Sequence, residues 1–390
     1  MAVQVQNRIQ EFPIEQSILD ETAQVLYAVA SLLNEPLCLA RELYYMAEIT
    51  DARFPEASRV EQVALASITY LGAFFCGTAA TFTTLPGISL RYLAVQLQQN
   101  PYMYRAGLGE EKEFQDHSFS LFSWNVCGVP AGFSITDGGV LHWRYRFEKM
   151  IEQIESANAD VLCLYEVFEV THSEALYDRL KEKYPHFYLN VGMRTIGAPS
   201  GIFVASKYPI QNPKFTAFPK ETLVGRTKNS EKGCFAFDIV GNGRSVSRIF
   251  STHPQHSEVV GQPDPDERAG RQEQMNLILH AMQRTLHCTP ILTGDLNFDD
   301  NEHENSDWSR FLTRGTREFS RPTWNGDRFC AALMNKPGSD PCTLDHTMTL
   351  RDRNCEIVTT NTETGFDGDI FIDAASSDHD GIYSTIQLAT

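Results

Sequence analysis

"TPILTGDLNFDD", residues 289–300, is an apolar run that stops at Gly294, Asp295 and Asn297. A lone Asp after such a run is ordinarily a turn or helix-cap residue. This one is part of a series. "LFSW" ends in Asn125, "VLCLY" in Glu166 and "RIFST" in His253. "CTL" meets Asp345 and His346, and "AASS" runs into Asp378 and His379. Strand ends on one sheet edge can point into one cleft, so groups distant in sequence can meet there. A set rich in carboxylate, imidazole and amide reads as a metal-dependent hydrolytic site.

The surrounding pattern supports strands. "SLFSWNV", "DVLCLYEV", "GIFVASKYPI", "CFAFDIV", "SVSRIFSTH", "TLDHTMTL", "CEIVTT" and "GIYSTIQL" are short apolar runs. "RYRFEKMIEQIESA", "SEALYDRLKEKYP" and "RAGRQEQMNLILHAMQRTL" carry helical spacing. Strands with interspersed helices predict an α/β sandwich in which helices cover packed sheets.

The N-terminal third has a different texture. Residues 14–48 predict two helices: one through Ile14, Ile18, Val25, Val29 and Leu32, with Ser17 or Asp20 as its cap, and a second over "EPLCLARELYYMAE". From Gln62 to Leu90 there is no charged residue. A spanning helix needs about 20 apolar residues, but this stretch also holds several Thr and Gly and Pro86. Three readings stay open: a buried helical hairpin, a membrane-inserted hairpin that does not span, and a true span. No basic start with an apolar stretch opens the chain, so no secretory signal is expected.

Composition narrows the function. The 390 residues carry a formal charge of -17 and are 42% apolar. That charge repels polyphosphate chains unless a basic groove compensates. Arg268, Arg271 and Lys220 are isolated, and no arginine-rich stripe with interleaved aromatics is present, so nucleic acid is not an expected partner. Nine cysteines without CxxC spacing exclude a zinc-ribbon pattern and a small disulfide scaffold. There is no P-loop and no HExxH.

At "WNV", "YEVF", "THPQH", "GDLNFD" and "SDH" the chain resembles the endonuclease/exonuclease/phosphatase superfamily, from about Ser118 to the C-terminus. "EVFEVTHSEALYDRLKEKYP" followed by "SGIFVASKYPI" is similar to its neutral sphingomyelinase branch. "NPYMYR" after a long uncharged segment resembles the membrane-bound mammalian members. The resemblance implies a four-layer α/β/β/α sandwich, DNase I-like, over 118–390, after a helical, hydrophobic, membrane-associating region over 1–117. It implies Mg²⁺ as cofactor, with Mn²⁺ also suited, and sphingomyelin or a related phospholipid in a membrane as substrate. The runners-up are a nuclease or inositol-polyphosphate phosphatase of the superfamily, and an inactive membrane-binding protein.

Residue by residue, the resemblance assigns Glu166 to the metal, with Asn125 beside it. Asp295 and Asn297 orient the attacking water or the phosphate, which requires a turn at Leu296. His379 is the general base, with Asp378 its neighbour, and Asp345 orients the imidazole. His253 stabilises the phosphate, while His256 reads as a surface residue. His346 stands where the branch tends to have Tyr, which argues against a direct role. Lys232 matches the lysine of the mammalian Asp–Lys switch, but Thr227 replaces the switch Asp, leaving Glu231 as a substitute carboxylate. The long insert between the Asn and Glu motifs is missing.

Overall fold

The computed structural model describes residues 17–130, 142–193, 197–260, 262–324, 341–362 and 376–389. Ile14 and Ala374–Ala375, used in the sequence reading, lie outside them. The strands are β1 (Met103–Ala106), β2 (Ser118–Asn125), β3 (Val161–Tyr165), β4 (His186–Leu189), β5 (Phe203–Ser206), β6 (Ile210–Ala217) and β7 (Gly233–Gly241). The rest are β8 (Arg244–Thr252), β9 (Thr289–Asp295), β10 (Leu312–Arg314), β11 (Thr316–Arg317), β12 (Asp345–Leu350), β13 (Cys355–Thr362) and β14 (Gly381–Leu388). The helices are α1 (Ile18–Glu48), α2 (Thr50–Arg53), α3 (Arg59–Leu97), α4 (Trp143–Ala157), α5 (Val170–Leu180), α6 (Pro265–Gln283) and α7 (Asp300–Glu304).

One sheet runs β1-β4-β5-β3-β2-β14-β13-β11 and the other β10-β12-β9-β8-β7-β6. Side-chain alternation builds the layers. On β2, Phe119 and Leu121 face the second sheet and pack with Val161, Phe237, Ile249 and Ile291. Phe122 and Trp124 face the other way, onto Met150 and Ile154 of α4 and Leu176 of α5. On the second sheet, Phe250, Leu292 and Met348 pack on Met275, Ile278 and Met282 of α6. This is the expected α/β/β/α sandwich. The described cysteines are free, as their scatter implied.

Gly294 is explained by strand spacing. A Cβ there would sit 2.0 Å from the Thr252 carbonyl oxygen on β8, a backbone atom that cannot step aside. Gly294→Ala is therefore expected to part β8 from β9 and destabilise the fold by about 1–3 kcal/mol. A urea midpoint lowered at constant slope would show it; an unchanged midpoint would refute it.

The N-terminal region corrects the sequence reading in three places. The two helices expected over 14–48 are one continuous α1 with Pro36 inside it. Pro36 removes one helical hydrogen bond, and close packing along α3 offsets that loss. Gly87 marks the approach: a Cβ there would lie 2.8 Å from Asn34 Oδ1 and 3.2 Å from the Ala30 carbonyl oxygen. Second, residues 62–90 form no hairpin of their own; they are the middle of α3, buried only along Ala73, Ala80 and Gly87, while Phe74 and Phe82 are 68% and 77% exposed. Third, β1 lies within the stretch expected to be helical and pairs with β4, and Phe114 is buried between the sheets, so the sandwich starts before Ser118.

The cap is Ser17, whose hydroxyl accepts the Asp20 N–H. Asp20 ties the helices together instead, accepting from Gln99 N at 2.7 Å and Asn100 N at 3.0 Å. By length and composition α1 and α3 are each apolar enough to cross a membrane.

His172 of α5 is fully buried, stacked on Trp143 at 4.4 Å between centroids, with no partner for either ring nitrogen among the described residues. Burial, aided by the nearby Arg146 charge, pushes its imidazole down to about 3. The unfolded chain takes up that proton near pH 6.5. Stability is thus intact above pH 6.5 and falls by about 1.4 kcal/mol per unit between 6.5 and 3. His172→Phe keeps a stacked ring and should flatten that slope in urea titrations at pH 7 and 5; an unchanged slope would refute the assignment.

Candidate active site

Strand parity explains why the polar strand ends converge. Asn125 continues the Phe119–Leu121 face of β2, and Asp295 the Ile291 face of β9. His253 continues the Ile249 face beyond β8. Asp345 is paired with Asp295 across β12–β9 and shares its side. All four point between the sheets at one rim. His346, one residue on, points to the opposite side, where it stacks on Phe298 and sits 2.9 Å from an Arg317 nitrogen. Its role is structural.

Glu166 would fall on the wrong face if β3 continued. Its φ of 64° lies in the left-handed region and turns the side chain into the rim. Gly201 makes room, since a Cβ there would be 3.0 Å from Glu166 Cα. Asn297 uses the same device, with φ 56°. Its N–H donates to Asp295 Oδ1 at 3.1 Å, so the chain turns just after Leu296 as required. The Asn297 amide reaches the Pro254 carbonyl at 3.3 Å rather than the carboxylates.

The groups touch one another. Asn125 Nδ2 donates to Asp295 Oδ2 at 2.9 Å and to Glu166 Oε1 at 3.1 Å. Its Oδ1 accepts the Cys127 N–H at 2.8 Å, so here the amide orients the two carboxylates. His379 Nδ1 donates to Asp345 Oδ2 at 2.8 Å, which leaves Nε2 facing Asp295 Oδ2 at 3.6 Å. Asp378 does not meet the imidazole ring; its Oδ2 accepts from Trp324 Nε1 at 3.2 Å. His253 Nε2 lies 3.4 Å from Asp295 Oδ2 and 3.8 Å from Glu166 Oε1.

Lys232 is buried in the site rather than exposed in a loop. Its Nζ donates to His253 Nδ1 at 2.7 Å, which places the His253 ring proton on Nε2, toward the carboxylates. Glu231 pairs with Lys220 at 2.8 Å, and Thr227 Oγ1 lies 2.6 Å from His256 Nδ1. Neither stands in for a switch carboxylate on Lys232. His256 is partly exposed.

Burial sets the charges. It lifts Glu166 to about 7, against the pull of Lys232, and Asp295 to about 6, against His379. It pushes Lys232 down to about 8 and His253, helped by the Lys232 charge, well below the ordinary imidazole range. For His379, burial is outweighed by Asp345, Asp295 and Asp378 together, and the imidazole rises to about 10. Four carboxylates, of Glu166, Asp295, Asp345 and Asp378, act on this pocket against two basic groups, Lys232 and His379. Asp345 Oδ1 is buried without a hydrogen-bond partner among the described residues, and ligand atoms of Asp295, Asp345 and His379 lie within 4.8 Å of one another. A hard divalent cation on oxygen donors fits this surplus.

A second described cluster, Asp238, His287 and Cys288, does not fit a cation. Asp238 is already bonded to Arg248, to Asn212 Nδ2 at 2.8 Å and to His287 Nε2 at 3.1 Å.

Two features escaped sequence reading. Beneath the rim lies a hydroxyl layer: Tyr165 OH is 3.1 Å from both Ser251 Oγ and the Thr293 carbonyl oxygen, and Ser384 Oγ donates to Thr347 Oγ1 at 2.8 Å. Its signal was present as Ser251 and Thr293, each two residues before a polar strand end, and as Thr347 and Ser384 on the strands that follow Asp345 and His379. Arg146, buried behind Asn125, left none, because a single Arg in a helix reads as surface.

Comparison with known proteins agrees with this geometry. The sequence profile of the endonuclease/exonuclease/phosphatase family matches residues 122–379. Sphingomyelin phosphodiesterase 5 of Danio rerio is 27% identical over 167 residues, 37% of this chain and 29% of that protein. Sphingomyelin phosphodiesterase 3 of Mus musculus is 24% identical over 183 residues, 40% of this chain and 26% of that protein. The matched stretch thus spans under a third of either relative. Staphylococcus aureus beta toxin superposes with a TM-score of 0.57 at 23% identity, covering 68% of this chain and 99% of the toxin. A mutant of that toxin with bound magnesium ions superposes equally well, with a TM-score of 0.57 at 22% identity and the same coverage. Strand order, the composition of the rim and the profile match lead to one assignment: the chain belongs to the endonuclease/exonuclease/phosphatase family.

Proposed function

We propose that this protein is a divalent-cation-dependent phosphodiesterase that hydrolyses sphingomyelin, or a closely related phospholipid, to ceramide and phosphocholine at a membrane surface. One observation carries the reading: Asn125, Glu166, His253, Asp295, Asp345 and His379 share a single rim of the sandwich, beside an apolar helical hairpin.

In this reading Asp345 holds the His379 Nδ1 proton, so Nε2 is the atom that accepts a proton from the attacking water. The water oxygen bonds to phosphorus as the bond to the ceramide oxygen breaks. The departing oxygen keeps that electron pair and is protonated from solvent. Asp295, held by Asn125, orients the water, and His253 Nε2–H donates to the phosphoryl oxygens as charge builds there. Lys232 keeps His253 in the donating tautomer and adds positive charge. Glu166 would hold Mg²⁺, or Mn²⁺, which when bound would polarise the phosphate and add the positive charge that lets His379 give up its resting proton.

The hairpin supports a lipid substrate. The α3 hydroxyls of Ser67, Thr69, Thr78 and Ser89 donate to carbonyls of their own helix, as suits a helix in a medium without water. α1 is fastened to the sandwich along its length: Gln24 to Asn190, Tyr27 OH to the Met193 carbonyl at 2.8 Å, Glu35 to Arg144 at 2.5 Å, and Met46 to Tyr145. From Gln24 to Met46 is roughly 33 Å of helix. A hairpin held flat at both ends suits lying in the interface, with the outer face of α3 in the lipid, better than crossing it. The mouth is close by, since Glu169 beside His142 and Trp143 follows shortly after Glu166.

Phosphocholine release from sphingomyelin vesicles with Mg²⁺, and its loss with chelator, tests the reading. Equal inactivity of wild type and His379→Gln toward sphingomyelin would overturn it. Cleavage of single-stranded DNA or inositol phosphates instead would move the assignment within the family.

A further inference from the structure

His379 stands on a short loop, yet its ring is fixed to within a hydrogen bond of Asp345. What holds that loop lies outside the rim. Arg146 of α4 is 2% exposed, and its hydrogen bonds to the described residues run to backbone carbonyls. Its NH1 donates to the Val126 carbonyl at 3.1 Å and to the Ser376 carbonyl, and its NH2 to the Cys127 carbonyl at 2.6 Å. Val126 and Cys127 follow Asn125 directly, and Ser376 leads into Ser377, Asp378 and His379. One planar guanidinium thus bridges two neighbouring segments of the site, the one that leaves β2 after Asn125 and the one that leads through His379 into β14.

Neighbouring contacts follow the same line. Gln153, two turns along the same face of α4, accepts from Ser376 Oγ at 2.8 Å. Ser377 Oγ donates to the Asn125 carbonyl at 2.6 Å, and Trp124 Nε1 to the His379 carbonyl at 2.9 Å. We propose that Arg146 is a positioning residue: it ties the His379 loop to the Asn125 strand end and so sets where the imidazole sits relative to Glu166. A Lys could keep the charge but not the fork, because an ammonium cannot hold three carbonyls of fixed spacing in one plane. Misplacing a reacting group by about 1 Å costs as much as ~10²-fold in rate.

The test uses the full chain in lipid nanodiscs, with Arg146→Lys and the milder Gln153→Leu. Histidine-ring NMR reads the His379 Nδ1–H bonded to Asp345, identified by its disappearance in His379→Gln. That signal should shift or broaden in Arg146→Lys, and less so in Gln153→Leu, while the remote His186 ring signals stay put. In the vesicle assay kcat should fall by about 10–100-fold with KM nearly unchanged, and Arg146→Lys/His379→Gln should be no slower than His379→Gln. An unmoved His379 signal in a folded Arg146→Lys, or independent losses in the double variant, would overturn the proposal. If Arg146→Lys does not fold, an unmoved signal in Gln153→Leu overturns it equally. The kinetic arm rests on the reading of His379 as the base. The NMR arm does not, so wild-type inactivity would sink that reading and still leave Arg146 decided.

Discussion

His379→Gln should lower phosphodiester hydrolysis by about 10²–10⁴-fold while leaving the fold intact, the range general-base removal typically gives. Glutamine keeps a polar group near Asp345, so the buried carboxylate is not stranded. What it lacks is an atom that takes a proton from water at Nε2, the atom that faces Asp295 at 3.6 Å. In the proposed reading other groups hold the substrate, so the loss should fall on kcat. Turnover with matched far-UV circular dichroism checks it, and a loss under tenfold would transfer the base role to Asp295. Asp345→Asn offers a companion measurement, since an amide that turns its own donor toward Nδ1 would favour the wrong tautomer.

Glu166→Gln should weaken the response to divalent cation at least ~100-fold, since even outer-shell partners of a metal ligand cost ~10–100-fold. The charge is the reason. Glu166 is half-buried beside Asn125, His253 and Lys232, and lost solvent has already lifted it to about 7. Removing the charge takes from Lys232 the carboxylate that acts on it most strongly and, in the proposed reading, takes an oxygen donor from the cation. Titrating Mg²⁺ against phosphocholine release reads the shift, as does Mn²⁺ binding followed by electron paramagnetic resonance in the absence of substrate. A variant that binds Mn²⁺ like wild type would remove Glu166 from the cation site.

Much of the site was legible because strands advertise their ends. Asn125, Glu166, His253, Asp295, Asp345 and His379 each close an apolar run, and the family resemblance counted all six among its site residues. The illegible parts depend on context that no local pattern encodes. Lys232 reads as a loop lysine until its burial against His253 is seen. Glu166 reaches the rim only through a left-handed backbone turn, and His346 is excluded only by register. β1 is a short edge strand in a polar stretch, which carries little periodicity of its own. The run from Glu35 and Pro36 onward read as a second helix, and the folded chain makes one helix of both.

Taken alone, the chain determined that inward-facing runs would build two packed sheets, that half a dozen polar groups would stand at strand ends, and that residues 62–90 would carry no charge toward water. Only the folded structure decided which of those groups meet, as Asn125 and Asp295 do across 170 residues, and how each holds its proton. The division has a physical cause. Alternation and helical spacing are short-range properties written into neighbouring residues, whereas pairing and proton affinity follow from through-space distance and lost solvent, which exist only once the sheets have closed.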